Sequence, residues 1–164
     1  MEHIWSPWRY KYIASADREP GCVFCRAAGG DDDRASLVVH RGLLNFVILN
    51  LFPYTSGHLM IVPYEHGASL AESPAETTSE MMELAKRSQR ALEAEYSPDG
   101  FNIGMNLGRS AGAGVADHLH LHVVPRWAGD ANFVSIVGET RVLPEDLPTT
   151  YDRLKRHFGP QDQV

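Results

Sequence analysis

The stretch from residue 118 to residue 126 carries the side chains best suited to chemistry. His118, His120 and His122 alternate with aliphatic residues. In a β-strand, side chains two residues apart share a face, so the imidazoles face one side and the aliphatic residues the other. An imidazole serves as nucleophile, general base or metal ligand near neutral pH. The pattern predicts a strand that is anchored by its apolar face and presents three histidines on the other.

A glycine-rich loop over 108–116 precedes this strand. Glycine lets backbone N–H groups approach an anion and point at it. Alone such a loop indicates a turn, but next to three histidines it indicates a phosphate-binding loop. We interpret Asn106, Ser110, Gly112 and Gly114 as phosphate contacts, with a histidine attacking phosphorus while backbone donors stabilise the oxygens.

Cys22 and Cys25 are the only cysteines, and their C-x2-C spacing suits two thiolates on one tetrahedral zinc. A thioredoxin-like redox pair is an alternative, although the surrounding βαβ pattern is missing. Two inert cysteines are a third interpretation. Two cysteines are too few for a disulfide framework.

Composition excludes several classes of protein. The chain has 164 residues, of which 43% are hydrophobic and 22% charged, as expected for one globular domain. The net charge of -6 disfavours nucleic acid as a partner. No apolar run approaches the roughly 20 residues that span a bilayer, and no signal peptide is evident, so we expect a cytoplasmic protein without a membrane partner.

The elements that must position these residues follow from local patterns. Ser73, Pro74 and Glu76 predict a helix start with a capping box, and 97–100 ends that helix. A short terminal helix is expected over 151–158, and the aromatic segment 1–21 is expected to pack on the body or on a second subunit. Strands are predicted over 37–40, 46–50, 58–62, 101–106 and the histidine segment. Short connections between them favour an antiparallel α+β sheet.

Residues 118–124 match the pattern His-φ-His-φ-His-φ-φ, where φ is hydrophobic, and the chain resembles the histidine triad superfamily. The resemblance extends over about 37–130. Within the superfamily, segments 5–9, 51–58 and 124–133 are most similar to bacterial diadenosine tetraphosphate phosphorylases and their fragile-histidine-triad relatives.

The resemblance implies a catalytic role for the triad. His120 would attack the α-phosphorus of a nucleotide and form a covalent nucleotidyl-histidine, which then passes to phosphate or water. His122 would contact the phosphate or the leaving group, and His118 completes the triad. Mg2+ or Mn2+ would accompany the substrate.

The resemblance also implies a substrate pocket. His58 would support the triad and Asn50 would bind ribose, although a turn asparagine is an alternative. Ile48 and Met60 fall where a base pocket is expected, with ordinary core burial as the alternative. One departure stands out, because several relatives have a hydrogen-bonding Gln or Ser where 114–116 here reads Gly-Val-Ala.

Some bacterial triad proteins similar to this chain bind zinc through C-x2-C and two histidines. The matching residues are Cys22, Cys25, His66 and His118. A Cys2His2 set fills a tetrahedral shell, so such a zinc would be structural.

The resemblance further implies a histidine-triad fold with about five antiparallel strands and one main helix. Its sheet would continue across a homodimer. We expect one domain over 1–164, with an arm (1–36), a core (37–130) and an extension (131–164).

Several functions fit these residues. The first is a diadenosine tetraphosphate phosphorylase, which uses phosphate and gives ADP and ATP. Others are a hydrolase of dinucleoside polyphosphates, a nucleoside phosphoramidate hydrolase, a non-catalytic nucleotide-binding module and a purely structural zinc protein.

Overall fold

A computed structural model describes residues 21–130 and 145–159. The predicted aromatic segment therefore lies outside the described residues except for its last residue, as does most of the predicted extension. The helices are α1 (Val23–Gly29), α2 (Ala75–Tyr96) and α3 (Leu147–Lys155). The strands are β1 (Val38–Arg41), β2 (Asn45–Leu49), β3 (Leu59–Pro63), β4 (Gly100–Met105) and β5 (Leu121–Arg126).

The strands form one five-stranded sheet in the order β1-β2-β3-β5-β4, and every pairing is antiparallel. This confirms the predicted α+β class, the strand count and the single main helix, α2. Among the described residues, no helix combines the length and apolar composition needed to cross a membrane.

The two faces of the sheet bury different clusters of apolar side chains. The larger cluster lies under α2 and α3 and includes Leu119, Leu121 and Val123. The smaller cluster lies on the opposite face, where Phe24 of α1 packs with residues such as Ile48 and Met60. The alternation of residues 118–123 thus places the aliphatic side chains against the long helix and the imidazoles on the side of α1.

Two local predictions were wrong in detail. β5 begins at Leu121, not at His118, because β3 ends at Pro63 and Leu119 N–H instead donates to the Gly67 carbonyl at 2.6 Å. The capping box does not form, because Pro74 is the N-cap of α2 and the Ser73 hydroxyl donates to the Ser69 carbonyl at 3.0 Å.

Helix α1 was not predicted from the sequence. This helix starts directly after Cys22 and buries only Phe24 and Ala27. Its C-terminal end is held by the guanidinium of Arg41, which donates to the carbonyls of Ala27, Ala28 and Gly30. Arg41 also pairs with Asp33 at 2.8 Å, so β1 fixes the end of the helix that carries the cysteines.

Candidate active site and metal centre

Four side chains converge beside the start of the histidine segment. One ligand atom from each of Cys22, Cys25, His66 and His118 lies within 4.8 Å of the others. His118 is buried, whereas His66 is exposed, so the cluster lies where the core meets the surface. These are the four residues that the resemblance to zinc-binding triad proteins implied as metal ligands.

The distances inside this cluster fit a tetrahedral metal ion. The two Nδ1 atoms of His66 and His118 are 3.2 Å apart, and three sulfur-to-Nδ1 distances are 3.3, 3.3 and 3.6 Å. Around a tetrahedral zinc, bond lengths of about 2.0 Å to nitrogen and 2.3 Å to sulfur place ligand atoms roughly 3.3 to 3.8 Å apart. The side chains are therefore arranged as a coordination shell.

The hydrogen bond of His118 and the protonation of the cysteine thiols both bear on whether this cluster binds a metal cation. His118 Nε2 lies 2.9 Å from the Pro63 carbonyl and donates to it, which leaves the Nδ1 lone pair facing the cysteines. Burial raises the pKa of the Cys25 thiol, and the neighbouring Cys22 adds to the effect. A divalent cation would reverse this preference by stabilising the thiolates.

His120 is oriented as a nucleophile. It is 5% exposed, and its Nδ1 lies 2.8 Å from the backbone carbonyl of His118. A carbonyl only accepts, so Nδ1 carries the proton and Nε2 carries the lone pair. Burial lowers the pKa of His120, which favours this neutral form.

His58 and His122 form a hydrogen-bond relay whose direction is set by the backbone. Tyr54 N–H donates to His58 Nδ1 at 3.2 Å, so the proton of neutral His58 is on Nε2. His58 Nε2 lies 2.9 Å from His122 Nδ1 and donates to it. The remaining proton of neutral His122 is on Nε2, a buried atom without a partner among the described residues. The ring of His122 lies 4.8 Å from that of His120, so this N–H is available beside the candidate nucleophile.

The predicted substrate residues differ in how the structure places them. Asn50 Nδ2 lies 3.3 Å from His58 Nδ1, and Asn50 Oδ1 accepts from Phe52 N–H at 3.0 Å, so the amide orients the relay. Ile48, Met60 and His122 are cross-strand neighbours in one row, and both apolar residues are buried. The two apolar residues therefore adjoin the relay, and their role in binding a base stays a prediction.

The glycine-rich loop connects β4 to β5. Gly108 and Gly112 adopt positive φ angles of 80° and 89° on either side of a single 3-10 turn, Arg109–Ala111. Asn106 follows β4 directly, and Ser110 and Gly114 are exposed. Within the described part of the chain, no hydrogen bond joins Asn106 or Ser110 to the triad, so their phosphate role stays a prediction.

Two aromatic residues near the histidines were missed by the sequence analysis. The Tyr54 ring lies 4.6 Å from that of His58 and 6.1 Å from that of His122. Phe24 contacts His118 and His120. The position of Phe24 between the two cysteines was the one signal that could have identified it.

The neutral state of His122 predicts a pH-dependent loss of stability. Burial, with a smaller contribution from His120, lowers the pKa of His122 from 6.5 to about 4. In the unfolded chain the imidazole takes up a proton near pH 6.5, whereas in the folded protein it does so only near pH 4. The contribution of neutral His122 to the free energy of unfolding is complete above pH 6.5. It is lost as the pH falls toward 4, and the total loss is about 3 kcal/mol.

Urea unfolding of wild type and His122→Asn between pH 7.5 and 4.5 measures this effect. Both proteins keep the four candidate metal ligands, so release of any bound metal affects the two curves alike. We expect the free energy of unfolding to fall more steeply with acid in the wild type. Parallel curves would contradict the shifted pKa of His122.

Comparisons with known proteins agree with this geometry. A family model for the HIT domain matches residues 33–129. The AP-4-A phosphorylase of Mycobacterium tuberculosis strain H37Rv is 41% identical over 98% of this chain and 86% of its own length. Adenosine 5'-monophosphoramidase hnt1 of Schizosaccharomyces pombe is 30% identical over 64% of this chain and 74% of its own length.

Solved structures share the fold. A Zn-bound histidine triad family protein from Mycobacterium smegmatis superposes with a TM-score of 0.68 and is 31% identical, covering 84% of this chain and 93% of that one. The family match covers more than half of the chain and contains the whole triad. The chain therefore belongs to the histidine triad (HIT) family.

Proposed function

We propose that this protein cleaves dinucleoside polyphosphates, diadenosine tetraphosphate first among them, at the α-phosphate, with inorganic phosphate as the acceptor. The observation that carries the proposal is the tautomer of His120. The hydrogen bond from Nδ1–H to the His118 carbonyl leaves the lone pair on Nε2. The similarity over 98% of the chain to a protein named AP-4-A phosphorylase supports this choice of substrate.

In the first step, the Nε2 lone pair of His120 attacks the α-phosphorus, and the bond from that phosphorus to the bridging oxygen breaks. The bonding electrons leave with the oxygen, so ATP departs and adenylate stays on Nε2. His120 keeps its proton on Nδ1 and becomes cationic, a charge that the His118 carbonyl at 2.8 Å stabilises. Splitting one difficult displacement into two is the advantage of a covalent intermediate.

His122 would stabilise charge on the phosphate oxygens during both steps. Its Nε2–H is buried and has no partner among the described residues, whereas its Nδ1 is held by His58. Such a pre-oriented donor costs no reorganisation when charge develops. Because residues 114–116 lack the hydrogen-bonding Gln or Ser of several relatives, the leaving group depends on His122 and the loop N–H groups.

In the second step, an oxygen of inorganic phosphate attacks the same phosphorus and the bond to Nε2 breaks. The electron pair returns to His120, and ADP leaves. Ile48 and Met60 would bind the base and Asn50 the ribose, with Mg2+ or Mn2+ on the phosphates.

We further propose that Cys22, Cys25, His66 and His118 hold a zinc ion, as the Zn-bound neighbour in the family supports. Four protein ligands fill a tetrahedral shell, so the zinc would neutralise two thiolates and cross-link α1 to the sheet. A pair of thiolate ligands suits a reducing compartment, in line with a cytoplasmic location.

Incubation with diadenosine tetraphosphate, with and without inorganic phosphate, tests the proposed reaction. ADP and ATP that appear only with phosphate would support it. AMP and ATP in equal amounts under both conditions would show that water is the acceptor. No product would exclude this substrate for the protein.

Hydrolysis of nucleoside phosphoramidates is the second candidate. It is favoured by the 30% identity to an adenosine 5'-monophosphoramidase over 64% of the chain. The same two steps apply, with an amine as leaving group and water as acceptor. Adenosine 5'-monophosphoramidate as substrate, assayed for AMP, distinguishes the two functions.

We also propose that a single domain over 1–164 forms a homodimer through β4. This strand lies at one edge of the sheet and pairs only with β5 among the described strands. Its central residues are exposed, including Ile103 at 44%. An open apolar edge favours pairing with another strand, and a second copy would continue the sheet. Light scattering at micromolar concentration checks this, and a monomer would contradict it.

A further inference from the structure

Phe24 lies between the two cysteines and contacts both functional parts of the site. Its side chain is only 4% exposed. Its ring centroid lies 5.5 Å from that of His118, edge to face at 80°. It also lies 5.1 Å from the ring of His120, at 49°. One side chain thus contacts a candidate metal ligand and the candidate nucleophile.

The ring of His120 is confined from several sides. The bond from Nδ1 to the His118 carbonyl fixes one atom but allows the ring to tilt about it. Phe24 packs on the imidazole, and His122 stands almost perpendicular to it at 78° with centroids 4.8 Å apart. Phe24 therefore limits the tilt that would move Nε2 out of line with a phosphorus atom.

The position of Phe24 depends in turn on the cysteines. α1 has seven residues, too few to be stable alone, and buries only Phe24 and Ala27. Arg41 holds its C-terminal end through three carbonyls. At its N-terminal end the helix is held by the cluster of Cys22, Cys25, His66 and His118.

We propose that Phe24 is a positioning residue that makes the orientation of His120 depend on occupancy of the Cys2His2 centre. This inference rests on the proposed function insofar as it takes His120 to be the nucleophile. A metal ion there orders the start of α1, and α1 presses Phe24 against the imidazole. The metal thereby acts on kcat without touching the substrate.

The variant Phe24→Leu tests the proposal, with Phe46→Leu as the matched control. Phe46 is fully buried in the same cluster as Phe24, and its ring contact is with Tyr64 at 5.4 Å. Both variants lose the same atoms from the same cluster and keep all four metal ligands. Zinc content by mass spectrometry verifies that the three proteins are equally loaded.

Kinetics and NMR of the loaded proteins give independent readouts. We expect Phe24→Leu to lower kcat by about ten to a hundredfold with KM nearly unchanged, because misplacing a reacting atom by an ångström has effects of that size. We also expect the imidazole ¹⁵N signals of His120 to shift or broaden in Phe24→Leu and to stay in place in Phe46→Leu.

Chelation of zinc provides the second arm, with circular dichroism as a check on folding. It should perturb the His120 signals strongly in wild type and much less in Phe24→Leu, since the two changes act through one contact. Unchanged His120 signals in chelated wild type that stays folded would contradict the dependence on the metal. Unfolding on chelation would reduce the proposal to the contact of Phe24 with His120, which the loaded leucine variants test.

Several results would overturn the inference. The first is a Phe24→Leu variant with the kcat and the His120 signals of wild type. The second is an equal loss of kcat in Phe24→Leu and Phe46→Leu. The third is a raised KM at unchanged kcat in Phe24→Leu. If wild type turns over none of the nucleotides while the His120 signals still respond to Phe24→Leu, the proposed function fails and the positioning role stands.

Discussion

We expect the replacement of His120 by alanine to abolish turnover, while the protein stays folded and binds as much metal as wild type. The variant removes the Nε2 lone pair of His120, which lies beside the His122 N–H that has no partner in the described part of the chain. Without a nucleophile the covalent route is closed, and we expect kcat to fall by about four orders of magnitude or more. His122 cannot replace it, because its Nδ1 is already bonded to His58.

The measurement combines steady-state product analysis with a trapping experiment. The phosphorus–nitrogen bond of a nucleotidyl-histidine breaks in acid and survives in base. The reaction with α-labelled substrate is therefore quenched in base. Label should appear on wild type and be missing from His120→Ala. The variant His120→Gln, which keeps more of the volume, separates loss of chemistry from loss of packing.

His157→Gln is the matched histidine control for this experiment. His157 follows α3 and pairs with Glu95 of α2 at 3.0 Å, away from the triad. We expect its activity to stay within twofold of wild type, since it touches no residue of the site. Near-normal turnover by His120→Ala would show that another group is the nucleophile.

Loss of the metal ion should have the second largest effect, and it falls on stability. We expect about one zinc per chain after purification without chelator, because the four ligands complete one tetrahedral shell. At a zinc concentration about a thousandfold above Kd, binding contributes about 4 kcal/mol. For a domain of this size that corresponds to a fall in Tm of roughly 8 to 16 °C when the zinc is removed.

The variant Cys25→Ser tests the site with Val23→Ala as its control. Val23 lies in the same helix between the two cysteines, but its side chain is 43% exposed. We expect Cys25→Ser to bind little zinc and to melt near the temperature of the chelated wild type. Val23→Ala should keep the zinc content and the Tm of untreated wild type. The zinc site would be refuted if wild type purified without metal and both thiols reacted at the rate of exposed cysteines.

Much of the site could be predicted from the sequence, because its strongest signals are local. Alternation with period 2 in residues 118–123 required that the histidines share a face, and the structure buries Leu119, Leu121 and Val123 on the other. Similarly, the resemblance to zinc-binding triad proteins identified four residues that the fold brings together across up to 96 positions in sequence.

The chemistry of each histidine was decided only by the tertiary structure. The carbonyls of Pro63 and His118 set the tautomers of His118 and His120, and the N–H of Tyr54 sets that of His58. Two of these three partners are distant in sequence or lie on an irregular loop, so no periodicity indicates them. The start of β5 also depends on a distant segment, because Leu119 N–H donates to the Gly67 carbonyl, whereas the cap at Ser73 fails through a local bond to the Ser69 carbonyl.

The sequence by itself thus determined that the three histidines share one face of the chain, because side-chain type and strand alternation are written into neighbouring positions. The tertiary structure decided which nitrogen of each imidazole holds the proton and that Phe24 packs on His120. The physical reason is that hydrogen bonds and ring contacts are short-ranged in space, while partners such as Pro63 for His118 and Phe24 for His120 come from other segments of the chain.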